Sequence, residues 1–135
     1  MKWHHAVLAK IKENESRKVA LAIDTSTNET NTVLIQNIIK LFGEVKPDTL
    51  LVQADYKLRE VSPINESKLT WYTHGKSSYT DVLEWGETEK IDTMFYITDV
   101  TGYFYDELTV SYEVYWLVPN SYVPKVPFGR TIKVS

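Results

Sequence analysis

Hydrophobic positions along this chain follow two different rhythms. Val19-Ala20-Leu21-Ala22-Ile23, Thr49 to Ala54, Thr93 to Thr98 and Glu113 to Val118 are short, nearly unbroken apolar runs. Runs of that length, rich in branched and aromatic residues, predict strands buried on both faces. Arg130 to Val134 predicts a last strand. Between them the spacing lengthens. Trp3, Val7, Leu8 and Ile11 recur at helical intervals and predict a short amphipathic helix from Trp3 to Lys12, followed by a polar connector to Lys18. Asn31 or Thr32 caps a second predicted helix, with Leu34, Ile35, Ile38, Ile39, Leu41 and Phe42 as a broad apolar face and Gly43 and Pro47 marking its exit. Thr80 or Asp81 caps a third, through Val82, Leu83 and Trp85 to about Thr88. Lys57 to Ile64 and Lys68 to Tyr72 alternate and predict an edge hairpin, joined through Pro63-Ile64-Asn65-Glu66.

Strands alternating with helices predict an α/β domain whose sheet is mostly parallel and covered on both faces. In such sheets ligands bind outside the carboxyl ends of the strands, where strand order reverses. Two acids fall at predicted carboxyl ends. Asp24 closes the first strand and is followed by Ser26 and Asn28; Asp99 follows the run that ends in Ile97-Thr98. Oxygen-bearing side chains at i, i+2 and i+4 can converge on one point if the loop curls round it, and hard divalent cations take such ligands. Tyr79-Thr80-Asp81 offers further oxygens in the middle of the chain.

These segments carry a resemblance. Asp24-Thr25-Ser26-Thr27-Asn28, then Tyr79-Thr80-Asp81, then Thr98-Asp99-Val100-Thr101-Gly102, with the tail Tyr115-Trp116-Leu117-Val118 and Pro127-Phe128-Gly129-Arg130, resemble in order and spacing a von Willebrand factor A (VWA) domain. The nearest likeness is the VWA-like module at the C-terminal end of bacterial predicted metallopeptidase-type proteins. It spans about Lys18 to Ser135, so residues 1–17 read as an N-terminal helix and connector and 18–135 as the VWA-like domain. The resemblance implies a three-layer Rossmann-like fold, a mostly parallel central sheet with helices on both faces and an antiparallel edge hairpin. It implies a metal-ion-dependent adhesion-type site for Mg2+ (or Mn2+ or Ca2+). Ser26, Asn28 and Thr80 would be ligands there, and Asp24 and Asp99 would supply charge through bound waters. It implies a protein partner whose acidic residue completes the site, of the AAA-type ATPase class or a peptidase-like helical domain. This chain is then either a stand-alone short relative or the end of a longer protein. The sequence departs from the family at Asn28, where a second Ser is usual, and at Val100, where Gly is usual.

Composition narrows the remaining classes. A length of 135 residues fits one domain. The net charge of −3 gives no basic face for nucleic acid. There is no cysteine, hence no disulfide framework and no thiolate chemistry. No apolar run approaches the roughly 20 residues of a membrane span. The start Met1-Lys2-Trp3-His4-His5 lacks the apolar core of a secretory signal, which leads to the expectation of a cytoplasmic protein. There is no His-Glu-x-x-His zinc signature, no phosphate-binding Gly-x-x-x-x-Gly-Lys run and no Gly-x-Ser-x-Gly elbow.

Plainer readings stand beside these. Asp24, Asp55 and Asp99 are also the residue type that caps turns and helices. His4 and His5 are adjacent and do not face one another, and imidazole suits zinc or nickel better than magnesium. Tyr79 and Tyr103 read either as partner-binding residues on the carboxyl-end rim or as packing under loops, while Phe104 and Trp116 read as packing. Two other functions stay open: a metal-free scaffold that kept the fold, and a metal-dependent hydrolase. The chemistry implied by the resemblance is adhesion rather than catalysis.

Overall fold

The computed structural model describes residues 2–25, 32–55, 57–66, 68–70, 79–100, 109–119 and 125–134. Along these run α1 (Lys2–Glu13), β1 (Val19–Asp24), α2 (Thr32–Val45), β2 (Leu50–Ala54), β3 (Leu58–Pro63), α3 (Thr80–Glu89), β4 (Thr93–Ile97), β5 (Glu113–Val118) and β6 (Arg130–Lys133). The strands form one sheet in the order β3-β2-β1-β4-β5-β6. Every neighbouring pair is parallel except β2 with β3. The four long apolar runs of the sequence are β1, β2, β4 and β5, the interior of the sheet.

Side chains leave each strand alternately, and they divide between two cores. Val19, Leu21, Ile23, Phe95, Ile97, Tyr115 and Leu117 share one cluster with Trp3, Val7 and Ile11 of α1 and Ile35, Ile38, Leu41 and Phe42 of α2. Ala20, Ala22, Ala54, Met94, Tyr96, Val114 and Trp116 share the other with Tyr79, Val82 and Leu83 at the start of α3. The small side chains of β1 make room in this second cluster for three aromatic rings. Tyr96 and Trp116 stack at 5.4 Å between centroids, and Tyr79 presents an edge contact to both, at 5.3 and 5.5 Å. Such ring pairs add to the stabilisation that comes from burying the area alone.

Three local expectations are corrected. Lys68 to Thr70 is not a strand. The antiparallel edge pair is β2 with β3, with Ala54 opposite Leu58 at its near end. The amide of the buried Gln53 explains the difference. Its Nε2 donates to Lys68 O at 2.9 Å, and its Oε1 accepts from Thr70 N at 2.7 Å, which holds that backbone against a side chain instead of a strand edge. Gly43 lies inside α2 and does not end it. A Cβ there would come within 2.7 Å of Asn65 Oδ1, so the glycine lets the 3-10 turn Ile64–Glu66 approach the helix. Neither Thr80 nor Asp81 caps α3. Tyr79 holds the N-cap position with no side-chain cap bond, and Asp81 instead accepts from Leu58 N at 3.4 Å.

Candidate functional site

Strand order fixes where a site belongs. β1 lies between β2 and β4, and the chain leaves it first towards β2 and β3 and only later returns to β4. The order of strands therefore reverses between β1 and β4, and the crevice outside their carboxyl ends is the preferred binding position of an open α/β sheet. Asp24 is the last residue of β1, and Thr98 and Asp99 follow β4 directly.

Asp24 is 1% exposed and Thr98 fully buried, yet both are polar. Burial of that kind is stable only with hydrogen bonds, and here they are complete around Thr98. Its hydroxyl donates to Asp24 Oδ2 at 2.6 Å. With its single proton committed, its oxygen accepts from the Tyr79 hydroxyl at 3.0 Å and from Val100 N at 3.1 Å. One threonine thus ties together the end of β1, the start of α3 and the turn after β4. Beside it, Thr25 is anchored to β2 by two bonds to Ala54 O, from its amide at 2.7 Å and its hydroxyl at 3.0 Å.

The turn held by Thr98 contains Val100 at φ 59°. A β-branched side chain in the left-handed region is a true outlier, because its Cβ crowds the backbone. The backbone geometry here is one that suits glycine, yet a valine supplies it.

Thr80 adds a different kind of observation. Its Oγ1 is buried and has no hydrogen-bond partner among the described residues. Such a hydroxyl calls for a partner, which a neighbouring segment of the chain, a water or a bound ion can supply.

The expected site residues fare unequally. Asp24 lies at the switch point, and Asp99 is half-buried in the turn beside it. Thr80 opens α3 with its orphaned hydroxyl. Ser26, Asn28 and Tyr103 lie outside the described residues. Tyr79 is corrected: it is fully buried among Tyr96 and Trp116 and presents no surface to a partner, and only its hydroxyl reaches the site. Thr98 is a residue that the sequence pattern does not single out, although it opens the segment Thr98-Asp99-Val100. A threonine ending a strand reads first as a β-branched strand former.

The local field is acidic. Tyr96 has its phenol pushed well above the ordinary tyrosine value, first by burial and then by the charge of Asp24. Among the described residues, no three His, Cys, Asp or Glu side chains gather as a metal site. A cation here would therefore rest on hydroxyl and amide oxygens as well as the two acids. Some open depressions on the described surface lie elsewhere. One of about 350 Å3 is lined by Val110, Tyr112, Phe128 and Arg130, at the amino ends of β5 and β6, and no candidate residue lines it.

No protein-family model matches the chain, and no curated protein or solved structure does so significantly. No helix among the described residues is long and apolar enough to cross a membrane.

Proposed function

We propose that this chain is a three-layer, Rossmann-like VWA domain that recognises a protein partner through a divalent cation held outside the carboxyl ends of β1 and β4. The observation that carries this reading is the buried Thr80 hydroxyl, without a partner among the described residues, on a helix whose N-cap residue Tyr79 is bonded to the Asp24–Thr98 pair at the switch point. The reversal of strand order between two acid-bearing strand ends, and the antiparallel edge pair, support the same reading.

The residues present suit a hard cation. Carboxylates, hydroxyls and an amide carbonyl are oxygen donors of the kind Mg2+ and Mn2+ take. Thr80, with Ser26 and Asn28 from the segment after β1, would hold the ion, and Asp24 and Asp99 would balance its charge. When bound, the cation supplies positive charge able to accept a carboxylate oxygen from another protein. The chain's own residues do the positioning. The partner is then a protein with an exposed Asp or Glu, and the resemblance names AAA-type ATPases and peptidase-like helical domains as the classes to try.

A second reading, the metal-free scaffold, has one observation in its favour. Asp24 Oδ2 is already engaged by Thr98, so the carboxylate has an internal structural role. Titration calorimetry with magnesium and manganese separates the two. Saturable binding in the wild type that disappears in Asp24→Asn and Asp99→Ala is expected for the cation site. A flat titration at millimolar metal, with the folded state intact, would leave the scaffold reading.

A further inference from the structure

Among the described residues, Tyr79 has three kinds of restraint. Its ring is fully buried against Tyr96 and Trp116. Its carbonyl accepts the first bond of α3, from Leu83 N at 3.0 Å. Its hydroxyl donates to Thr98, which in turn donates to Asp24. The helix it starts has no side-chain cap. Helix starts without a cap leave their first amide groups without partners and fray readily. Here the start is held by the tyrosine instead. Thr80, whose buried hydroxyl has no partner among the described residues, is the very next residue.

We propose that Tyr79 is the positioning residue of the cation site, fixing the first turn of α3 so that the Thr80 hydroxyl is presented at a set place relative to Asp24; this rests on the reading of the site given above. Metal sites tolerate only small errors in ligand placement, and partners that orient the ligands typically control affinity by about 10–100-fold. Tyr79 acts through Thr98 and through its own backbone and touches no cation.

The substitution Tyr79→Phe isolates this role. It keeps the ring and its packing and removes one hydroxyl. Thr98 still donates to Asp24 and still accepts from Val100 N, so no buried donor is left without its partner. A control comes from Tyr112, whose hydroxyl donates to Leu83 O at 2.6 Å. That bond also restrains α3, but one turn further along and away from Thr98.

The experiment is calorimetric titration of manganese chloride into the full chain, together with metal-free thermal melts. Manganese affinity in Tyr79→Phe is expected to fall about tenfold or more, with Tyr112→Phe close to wild type and Thr98→Ser, which keeps the hydroxyl, also close to it. The metal-free melting temperature of Tyr79→Phe should stay near that of Tyr112→Phe, a match that a purely structural loss would not explain. Should Tyr79→Phe melt below the titration temperature, the same comparison is run with trimethylamine N-oxide, which favours the folded state, and the same loss is expected. Wild-type affinity in Tyr79→Phe overturns the proposal and leaves the cation site standing. An equal loss in Tyr112→Phe also overturns it, since any loosening of α3 would then suffice. A wild type that takes up no manganese overturns the cation reading, and the proposal falls with it.

Discussion

Thr98 Oγ1 donates to Asp24 Oδ2 at 2.6 Å, joining the ends of two adjacent parallel strands by side chains beyond the last backbone rung. Removing that hydroxyl takes one hydrogen bond each from the Asp24 carboxylate, the Tyr79 hydroxyl and the partly buried Val100 amide. Thr98→Val, nearly the same shape, is expected to cost about 3 kcal/mol, since a hydrogen bond contributes roughly 0.5–1.5 kcal/mol and one to a charged group about 1.5–3 kcal/mol. Thr98→Ser loses only a methyl group and should stay within about 1 kcal/mol of wild type. Urea unfolding of the two variants checks both values, and equal midpoints would rule out the hydroxyl as the source.

Asp55 and Arg59 make a second buried polar contact at the edge of the sheet. Nε donates to Oδ1 at 2.8 Å and Nη2 to Oδ2 at 3.1 Å, with the Asp55 side chain fully buried and that of Arg59 18% exposed. The pair closes the turn between β2 and β3. Arg59→Met leaves the carboxylate inside without its cation, and is expected to cost about 3 kcal/mol after allowance for the partial exposure of the arginine. The double variant Asp55→Leu/Arg59→Met should recover at least half of that loss. A double variant no better than the single one would mean that the pair is not what holds the turn.

Val100 offers a test of strain. At φ 59°, glycine relieves about 1–2 kcal/mol of left-handed crowding. It also loses a partly buried side chain and gains unfolded-chain freedom, each worth about 1 kcal/mol. Val100→Gly is therefore expected to shift stability by less than about 1 kcal/mol. Val52→Gly, at a fully buried strand position, should cost about 3 kcal/mol or more. Comparable losses at the two sites, measured by chemical denaturation, would show that Val100 sits in its turn without strain.

Alkaline pH should unfold the protein early. Tyr96 and Tyr112 both have phenols raised above the ordinary value of 10.0, by burial first, with Asp24 and Glu87 respectively adding to the effect. Below about pH 10 both the folded and unfolded chains keep these protons, and neither group affects stability. Above it the unfolded chain releases them while the folded chain holds them. Stability then falls by about 1.4 kcal/mol per pH unit for each tyrosine until its folded pKa is reached. Thermal melts between pH 8 and about 11.5 should be flat and then drop steeply, and the slope should lessen in Tyr112→Phe.

Most of the sheet was legible in the sequence because parallel strands buried on both faces are apolar at nearly every position. Val19 to Ile23 and Met94 to Ile97 have no other simple reading. The hairpin partner was illegible because a side chain decided it: nothing in the alternation of Lys68 to Tyr72 reveals that Gln53 bonds to Lys68 and Thr70. At the candidate site, Asp24 and Asp99 could be found because acids at the ends of apolar runs break the pattern. Thr98 could not, since threonine continues a strand as naturally as it donates a hydrogen bond. Tyr79 was misplaced for a geometric reason. Successive residues at a helix start point about 100° apart, so the position of Thr80 says little about where its neighbour faces.

The aromatic trio has a consequence for how this chain can vary. Trp116 lies inside the sheet, with its indole N–H on Phe128 O, and never reaches the rim. It nevertheless packs against the ring whose hydroxyl meets Thr98. Natural sequence change at position 116 is therefore filtered twice, once for volume against Ala20 and Ala22 and once for where it leaves the Tyr79 hydroxyl. Descendants of this chain should change at 79, 96 and 116 together or not at all, and that shared inheritance would tie the history of the interior to that of the rim.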